Sequence, residues 1–227
     1  MSRKQGVRPV VVAIDGPAGA GKSTISALVA ERMGLVRVDT GAIYRALTLA
    51  VIEEGRTDDE AAACLGALDL RFEGGRCFLG TRDVSDEIRT PEVTARVSSV
   101  AAQPAVRAGL LSAQRQLGRA HGRGAVLEGR DIGTVVFPDA DVKIFLTASA
   151  EARAERRLKE LASRGVQSSF EAVRAALIER DRFDSERDVA PLVQAPDAIC
   201  VDTTGKDIAQ VVEEISVIVR DRLAALQ

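Results

Sequence analysis

The sequence is poor in aromatic and sulfur-containing residues. It has no tryptophan, a single tyrosine and three cysteines among 227 residues. Cys64, Cys77 and Cys200 are far apart and form no C-x-x-C pair, so we expect reduced thiols rather than a cysteine metal site or a disulfide framework. The one histidine, His121, lies in a Gly- and Arg-rich segment, and we interpret it as a loop residue rather than a ligand or a base.

Two further absences exclude classes of partner. The formal net charge is -2, whereas nucleic-acid-binding modules usually carry a basic surplus with stacking aromatics, so no nucleic-acid partner is expected. No apolar run is long enough to span a membrane, and residues 1–9 lack the apolar stretch of a signal peptide. We therefore expect no membrane partner and a cytoplasmic location. The length predicts one α/β domain with a sizeable core, and we expect this domain to be a monomer.

What the sequence does contain is a phosphate-loop motif. Residues 16–23 read GPAGAGKS and match G-x-x-x-x-G-K-[ST] at every specified position. A β-branched apolar run at 10–14 predicts a buried strand before the motif, and residues 24–33 predict a helix after it, with Gly34 as its stop. In this arrangement glycines let backbone N–H groups wrap a phosphate, Lys22 reaches the β- and γ-phosphates, and the Ser23 hydroxyl ligates Mg²⁺. The motif predicts a nucleoside triphosphate site.

Apolar runs alternate with helical patterns along the rest of the chain. Further strands are predicted at 35–38, 125–128, 142–146 and 198–202, and further helices at 42–54, 59–68, 104–120, 151–163, 170–187 and 207–226. This alternation predicts an α/β fold with a parallel sheet in three layers. Between residues 65 and 100 the pattern changes: 68–72 alternates, Gly74-Gly75 is a turn signal, and 77–79 and 82–85 follow as extended pieces. We expect a small β-element there, inserted in the βα core.

Several segments of the chain can be compared with a family. In order, they are GPAGAGKS (16–23), DTGAIYR (39–45), EIRT (87–90), EGRDIGTVVFP (128–138) and ERD (179–181) with Asp184 and Arg187. Together they resemble the bacterial cytidylate kinases, which are P-loop nucleoside monophosphate kinases, from about residue 9 to the C-terminus. One departure is Ser23, where some members carry Gly; Ser is the better Mg²⁺ ligand.

The resemblance implies an organisation and a reaction. It implies one P-loop kinase domain over 1–227, with a core at 9–64 and 101–227, an NMP-binding insert at about 65–100 and a short helical lid at about 156–187. The reaction is Mg²⁺-assisted transfer of a phosphoryl group from ATP to CMP and dCMP. An acceptor phosphate is already anionic near neutral pH, because its second pKa is about 6, so fixed cations are needed rather than a strong base.

The resemblance also implies roles for individual residues. Donor and Mg²⁺ binding falls to the loop and to two arginines of the following Arg-rich helix: Gly16, Pro17, Ala18, Gly19, Ala20, Gly21, Lys22, Ser23, Thr24, Arg153 and Arg157. Catalysis falls to Lys22, Arg130, Arg157, Arg180 and Arg187. Acceptor binding falls to Thr40, Tyr44, Arg45, Ser98, Arg107, Arg130, Asp131, Asp184 and Arg187. Arg45, Arg130 and Arg187 face the acceptor phosphate, Asp184 the ribose, and Ser98, Arg107 and Asp131 the cytosine edge.

Purely structural interpretations compete with these roles. Arg153 and Arg157 could lie on a solvated helix face, paired with Glu151, Glu155 and Glu160. Ser98 could be a helix N-cap, and Asp184 could pair locally with Arg187 on one helical turn.

Other functions also compete. One alternative is a P-loop kinase for another small acceptor, such as UMP or shikimate, and a shikimate-type site would not need the cytosine-edge set. A nucleotide-binding switch for GTP would need an N-K-x-D motif, and the segment 203–207, TTGKD, has no Asn before Lys206.

Overall fold

The computed structural model describes residues 8–73, 75–163 and 165–225. The strands of this part of the chain are β1 (Val10–Asp15), β2 (Val36–Asp39), β3 (Leu70–Glu73), β4 (Arg76–Leu79), β5 (Arg82–Asp83), β6 (Gly124–Gly129), β7 (Val142–Thr147) and β8 (Ile199–Asp202). The helices are α1 (Lys22–Met33), α2 (Thr40–Glu53), α3 (Pro91–Ala102), α4 (Pro104–Arg119), α5 (Ala150–Ser163), α6 (Phe170–Glu186) and α7 (Ile208–Ala224). Shorter helical segments span Asp58–Ala67, Glu87–Arg89 and Ile132–Val136.

A parallel sheet of five strands forms the centre of the described structure, in the order β2-β6-β1-β7-β8. β1 pairs in parallel with β6 on one side and with β7 on the other. The predicted parallel sheet is thereby confirmed. Since all five strands run the same way, their carboxyl ends meet at one edge, which is where open α/β sheets bind ligands.

Helices cover both faces of this sheet. Val12 and Ile14 of β1 pack toward α1 and α7, whereas Ala13 points to the opposite face, where it meets Leu127 and Phe137. This alternation follows from the two-residue period of a strand. With apolar side chains buried on both faces, the strands need helices on both sides, and the predicted three-layer arrangement is confirmed.

The change of pattern after residue 65 corresponds to a second, smaller sheet. β3, β4 and β5 pair antiparallel in that order, as the alternation predicted. Buried Cys77 packs with Ala46 of α2 and Val93 of α3, which seats the small sheet on the helices. Gly74, half of the predicted turn, lies outside the described residues, and the limits of 65–100 as an insert stay a prediction.

Several local elements differ from those predicted. The helix predicted at 59–68 is a tighter 3₁₀ segment, Asp58–Ala67, which begins with a capping box between Thr57 and Glu60. Helix α3 was not predicted, although Thr90-Pro91 is a typical helix start, with Thr90 as the N-cap and Pro91 in the first turn. The N-cap interpretation of Ser98 is wrong, because Ser98 lies inside α3. None of the described helices is both long and apolar enough to cross a membrane.

The fold predicts a contrast between two identical truncations. Val126 of β6 is fully buried in the sheet, whereas Val217 of α7 is 40% exposed. We expect Val126→Ala to lower the free energy of unfolding by about 2 kcal/mol, because a buried apolar side chain is lost. Val217→Ala should change it by no more than about 0.5 kcal/mol. Urea titration of both variants measures the difference, and equal losses would contradict this assignment of the core.

Candidate active site

The phosphate loop joins the end of β1 to the start of α1. At Gly16 φ is +148°, and a Cβ there would lie 2.0 Å from the Leu146 carbonyl oxygen, so only glycine fits. Gly21 precedes α1 with φ +94° and brings no side-chain cap to the helix. The first N–H groups of α1 are therefore open at the carboxyl edge of the sheet, an arrangement that attracts anions.

Lys22 is buried at the centre of this loop. Its Nζ donates to the carbonyl oxygens of Gly16 and Pro17, each at 2.7 Å. Burial lowers the pKa of the Lys22 ammonium well below its usual range, and the nearby charge of Arg130 lowers it further. An anion bound in the loop would favour the charged form of Lys22, because an opposite charge stabilises a buried cation.

A carboxylate stands directly opposite the loop serine. Ser23 Oγ donates to Glu128 Oε2 at 2.8 Å, and Ser26 Oγ donates to Glu128 Oε1 at 3.1 Å. Glu128 is the penultimate residue of β6 and is also paired with Arg37 at 2.5 Å. The arrangement puts a hydroxyl and a carboxylate oxygen side by side next to the loop.

A cluster of arginines faces the loop from α6 and from the segment after β6. Buried Asp184 of α6 accepts from Arg130 Nε at 3.0 Å and lies 3.9 Å from Arg180 Nε. Arg187 follows the end of α6, with ψ 142°, and its Nε donates to the Ala190 carbonyl at 2.7 Å. The interpretation of Asp184 and Arg187 as a local ion pair is therefore wrong, because the chain leaves the helix at Arg187 and Asp184 pairs with Arg130.

These arginines lie close to one another as well as to carboxylates. The Arg180 Nε and Arg187 Nη2 atoms are buried and find no hydrogen-bond acceptor among the described residues. Burial, with neighbouring Arg130, lowers the pKa of Arg180 to about 10, and burial with Arg180 does the same to Arg45. The pKa of Arg187 is lowered as well, by burial and then by Arg107. Unsatisfied donors and crowded cations together form a site for an anion.

Arg45 approaches the same space from α2. Its Nη1 donates to the Ile88 carbonyl at 3.1 Å and to Thr94 Oγ1 at 2.9 Å. These contacts hold the guanidinium between α2 and α3.

An ion pair closes the far end of the site. Arg107 of α4 and Asp131 are 8% and 5% exposed, and their side chains are directly hydrogen-bonded. The Arg107 guanidinium lies 5.4 Å from the centre of the Tyr44 ring, and the Tyr44 hydroxyl accepts from Gln114 at 3.1 Å. A base placed here would meet an arginine, a carboxylate and an aromatic ring.

The arginines of α5 do not share one environment. Arg153 is buried and binds Asp181 at 2.5 Å and the Ala18 carbonyl of the loop at 3.1 Å, so its interpretation as a solvated residue is wrong. Arg156 donates to Thr203. Arg157 pairs with Glu160 at 2.7 Å, as the structural interpretation had it.

A cleft of about 1750 Å³ connects these groups. Every residue predicted for acceptor binding lines it: Thr40, Tyr44, Arg45, Ser98, Arg107, Arg130, Asp131, Asp184 and Arg187. Of the other predicted residues, Ala18, Gly19, Ala20, Gly21, Lys22, Ser23, Thr24, Arg157 and Arg180 also line it. Gly16, Pro17 and Arg153 are not among the lining residues, and Arg153 contacts the loop through the Ala18 carbonyl.

Several polar residues of the site were not singled out from the sequence. They are Asp15, Arg37, Gln114, Glu128 and Arg156. Asp15 and Glu128 were visible as acidic residues that end apolar runs, which is a signal for the carboxyl edge of a parallel sheet. Arg156 was visible as a member of the Arg-rich helix face that it shares with Arg153 and Arg157, but it received no role of its own. Gln114 stands within a helical pattern rich in polar residues, and nothing in the sequence sets it apart.

Comparison with known proteins gives one consistent family. The model of the family described as cytidylate kinase matches residues 12–221. The chain is 47% identical to a cytidylate kinase of Thermosipho melanesiensis, over 94% of this chain and 98% of that one. It is 50% identical to a cytidylate kinase of Mycolicibacterium paratuberculosis, over 94% and 96%. A crystal structure of an uncharacterized protein from Eubacterium ventriosum has the same fold, with a TM-score of 0.54 at 11% identity, covering 94% of this chain and 99% of that one.

The buried Arg107–Asp131 pair predicts strong coupling between two substitutions. Arg107→Met and Asp131→Leu should each lower the free energy of unfolding by about 3–5 kcal/mol, because each leaves an unpaired buried charge. The double variant should lose much less than the sum. Arg174→Met, which breaks the exposed pair with Glu151, should cost at most about 1 kcal/mol. Denaturant titrations of the four variants give the coupling energy, and simple additivity would contradict the prediction.

Proposed function

The chain belongs to the cytidylate kinase family, and we propose that it transfers the γ-phosphoryl group of ATP to CMP and dCMP, giving CDP and dCDP. One observation carries the proposal: a single cleft has a phosphate loop at one end and a buried arginine–carboxylate pair at the other, with cations between them. In that order, the loop suits the triphosphate of the donor, the cations suit the two phosphates between which the phosphoryl group moves, and the ion pair suits the base of the acceptor. The relatives' common name favours this acceptor over UMP or shikimate.

The donor phosphates belong in the loop in this proposal. The backbone of residues 16–21, the start of α1 and Lys22 would hold them, with Thr24 at the open end of the helix. Arg157 and Arg180 would bind the phosphates from the side of α5 and α6. Arg153 supports the loop from beneath through Ala18, so its role here is to shape the donor site.

Mg²⁺ is the metal that we propose for this site. Within the described part of the chain, no cluster of three or more histidine, cysteine or acidic side chains could hold an ion by itself. Mg²⁺ does not need such a cluster, since it takes one or two protein oxygens together with phosphates and water. Ser23 Oγ, beside Glu128 Oε2, supplies oxygens of the right kind. When bound, Mg²⁺ would neutralise charge on the phosphates of the donor.

The acceptor phosphate would lie among Arg45, Arg130 and Arg187. Arg187 Nη2 and Arg180 Nε, which have no hydrogen-bond acceptor among the described residues, would supply donors for it and for the transferring group. Because transfer between two phosphates brings like charges together, fixed cations on both sides provide most of the catalysis. Asp184, held by Arg130, would accept from a ribose hydroxyl.

The base would be selected at the Arg107–Asp131 pair. Cytosine presents an amino donor at N4, which suits the Asp131 carboxylate, and acceptors at N3 and O2, which suit Arg107 and Ser98. Uracil would place O4 against a carboxylate, an unfavourable contact in a buried site. Tyr44 and Thr40 line the same space.

The division of the chain follows from this assignment. We propose 9–64 and 101–227 as the core, 65–100 as the NMP-binding insert and 156–187 as a lid. Helices α5 and α6 pack through Ala154, Val173 and Leu177, and Ala18 of the loop joins that contact. Closure of the lid would keep water from the donor. A monomer in the cytoplasm remains the prediction from the sequence.

The reaction is tested with a panel of nucleoside monophosphates, ATP and Mg²⁺. CMP and dCMP should be phosphorylated, and Lys22→Ala should remove this activity, because the charge on the transferring phosphate loses its buried counterion. Lys159→Ala, at an exposed position of α5, is the matched control and should keep the wild-type kcat. A folded Lys22→Ala enzyme with unchanged kcat would show that the phosphate-loop assignment is wrong.

Base selection is tested by the ratio of kcat/KM for CMP to that for UMP. We expect UMP to be a poor acceptor and Asp131→Asn to lower the ratio tenfold or more, because an amide donates to O4 of uracil as readily as it accepts from N4 of cytosine. Thermal melts and ATP titrations separate this effect from loss of the fold. An unchanged ratio would leave the kinase proposal standing and remove Asp131 from base recognition.

A further inference from the structure

Asp15 is a buried carboxylate that the proposed reaction does not use. It is the last residue of β1 and is only 5% exposed. Its Oδ1 accepts from the Ile132 N–H at 2.8 Å and its Oδ2 from the Gly133 N–H at 2.7 Å. Both oxygens are therefore committed to the start of the short turn Ile132–Val136, in the manner of a helix cap supplied by a distant strand.

The two sides of this contact belong to the two halves of the site. Gly16, the first residue of the phosphate loop, follows Asp15 directly. Asp131, which pairs with Arg107, directly precedes Ile132, and Arg130, which pairs with Asp184, comes one residue earlier. The Asp15 carboxylate thus connects the donor loop to the segment 130–131 through two hydrogen bonds.

We propose that Asp15 is a positioning residue, which sets the distance between the donor phosphate loop and the acceptor-binding segment 130–131. The inference rests on the proposed function, since it assigns the two segments to donor and acceptor. Transfer between two bound phosphates requires close alignment, and a small displacement of one partner has a large effect on rate.

The surroundings of Asp15 argue against a role in stability alone. Burial raises the pKa of Asp15 to about 6, against the effect of its two backbone hydrogen bonds. The charged groups that face it are Asp131, which directly precedes the turn and raises this pKa, and Lys22 of the loop, which lowers it. The stem of Lys143 packs against Gly133, and its ammonium is bound to Pro138 and Asp197.

The sign of the stability effect follows from that shift. Because the pKa is higher in the folded state than the ordinary value of 3.8, ionisation favours the unfolded chain as the pH rises from 3.8 to about 6. At neutral pH the ionised carboxylate therefore costs stability while it makes both hydrogen bonds. Such a cost at a buried position indicates a functional requirement.

Asp15→Asn tests the proposal with little change of shape. The amide offers one acceptor oxygen, and its nitrogen would face the second N–H, so one of the two hydrogen bonds is lost. Asp141→Asn is the matched control. Asp141 is 4% exposed at its side chain and accepts from the Val11 N–H at 2.9 Å, at the opposite end of the same strand. Each variant removes one buried carboxylate: Asp15 belongs to β1 and accepts from the turn, whereas Asp141 accepts from an N–H of β1.

The measurements are kcat and KM for CMP, the Kd for ATP without CMP, and Tm at about pH 4.5 and about pH 7.5. Asp15→Asn should lower kcat/KM for CMP about tenfold or more, since one charge-assisted hydrogen bond is lost, and leave the Kd for ATP within about threefold. The difference in Tm between Asp15→Asn and the wild type should shift in favour of the variant at the higher pH, because only the wild type loses stability as Asp15 ionises. Asp141→Asn should keep the wild-type kcat/KM.

Three outcomes of the kinetic and binding measurements would overturn the proposal. Asp15→Asn could keep wild-type kcat/KM for CMP, it could lose ATP binding in equal measure, or Asp141→Asn could have the same kinetic effect. Amide hydrogen exchange of Ile132 and Gly133 provides a readout that does not depend on activity. Faster exchange there in Asp15→Asn supports the positioning contact, and unchanged exchange overturns it. A wild-type enzyme that does not phosphorylate CMP would instead refute the proposed function, whatever the exchange shows.

Discussion

The parallel pairing of β1 with β6 is the interaction on which the rest of the structure depends. Its register sets Ile14 beside Glu128 and Asp15 beside Gly129. From that alignment follow the contact of Ser23 with Glu128 and that of Asp15 with the turn after Asp131. A slip of one residue would exchange the two faces of the strand, so the buried Val and Ile side chains of β1 also hold the polar groups in place. Apolar packing thus determines the geometry of a site that is almost entirely polar.

The second constraint is electrostatic: the cations of the site repel one another, which opposes the stability that apolar packing provides. The cleft gathers Lys22, Arg45, Arg130, Arg180 and Arg187, and the Asp184 carboxylate lies beside Arg130 and Arg180. Burial out of water and the nearness of another arginine lower the pKa values of Lys22, Arg45, Arg180 and Arg187. Such an arrangement lowers the stability of the fold as long as no anion is bound. In the proposed reaction the substrates supply the missing negative charge, so binding should stabilise the fold as well as align the phosphates.

The predictions from the sequence differ most from the structure in the partners of individual charged side chains. Arg153 and Arg157 lie on one helix at a spacing that puts them on one face. Arg153 is nevertheless buried under the loop against Asp181, whereas Arg157 is partly exposed and pairs with Glu160 of its own helix. Asp184 and Arg187 are three residues apart, yet the helix ends between them and Asp184 turns to Arg130. For Arg153 and for Asp184 the partner came from another element, which periodicity within one segment does not reveal. Ser98 is similar, since the helix around it begins at an N-cap eight residues earlier, Thr90.

The sequence by itself determined the phosphate loop, the alternation of strands and helices, and the small antiparallel sheet. These depend on local features: glycine spacing, β-branched runs and turn residues, whose preferences hold whatever surrounds them. Only the tertiary structure decided that residues as distant in the chain as Tyr44, Arg107, Asp131 and Arg187 line one cleft, and that Asp15 and Glu128 join its halves. The physical reason is that parallel strands are joined by long crossovers, so groups that meet at one sheet edge are far apart in the chain. Which of them meet is set by strand order and register, and these in turn by the packing of the whole core.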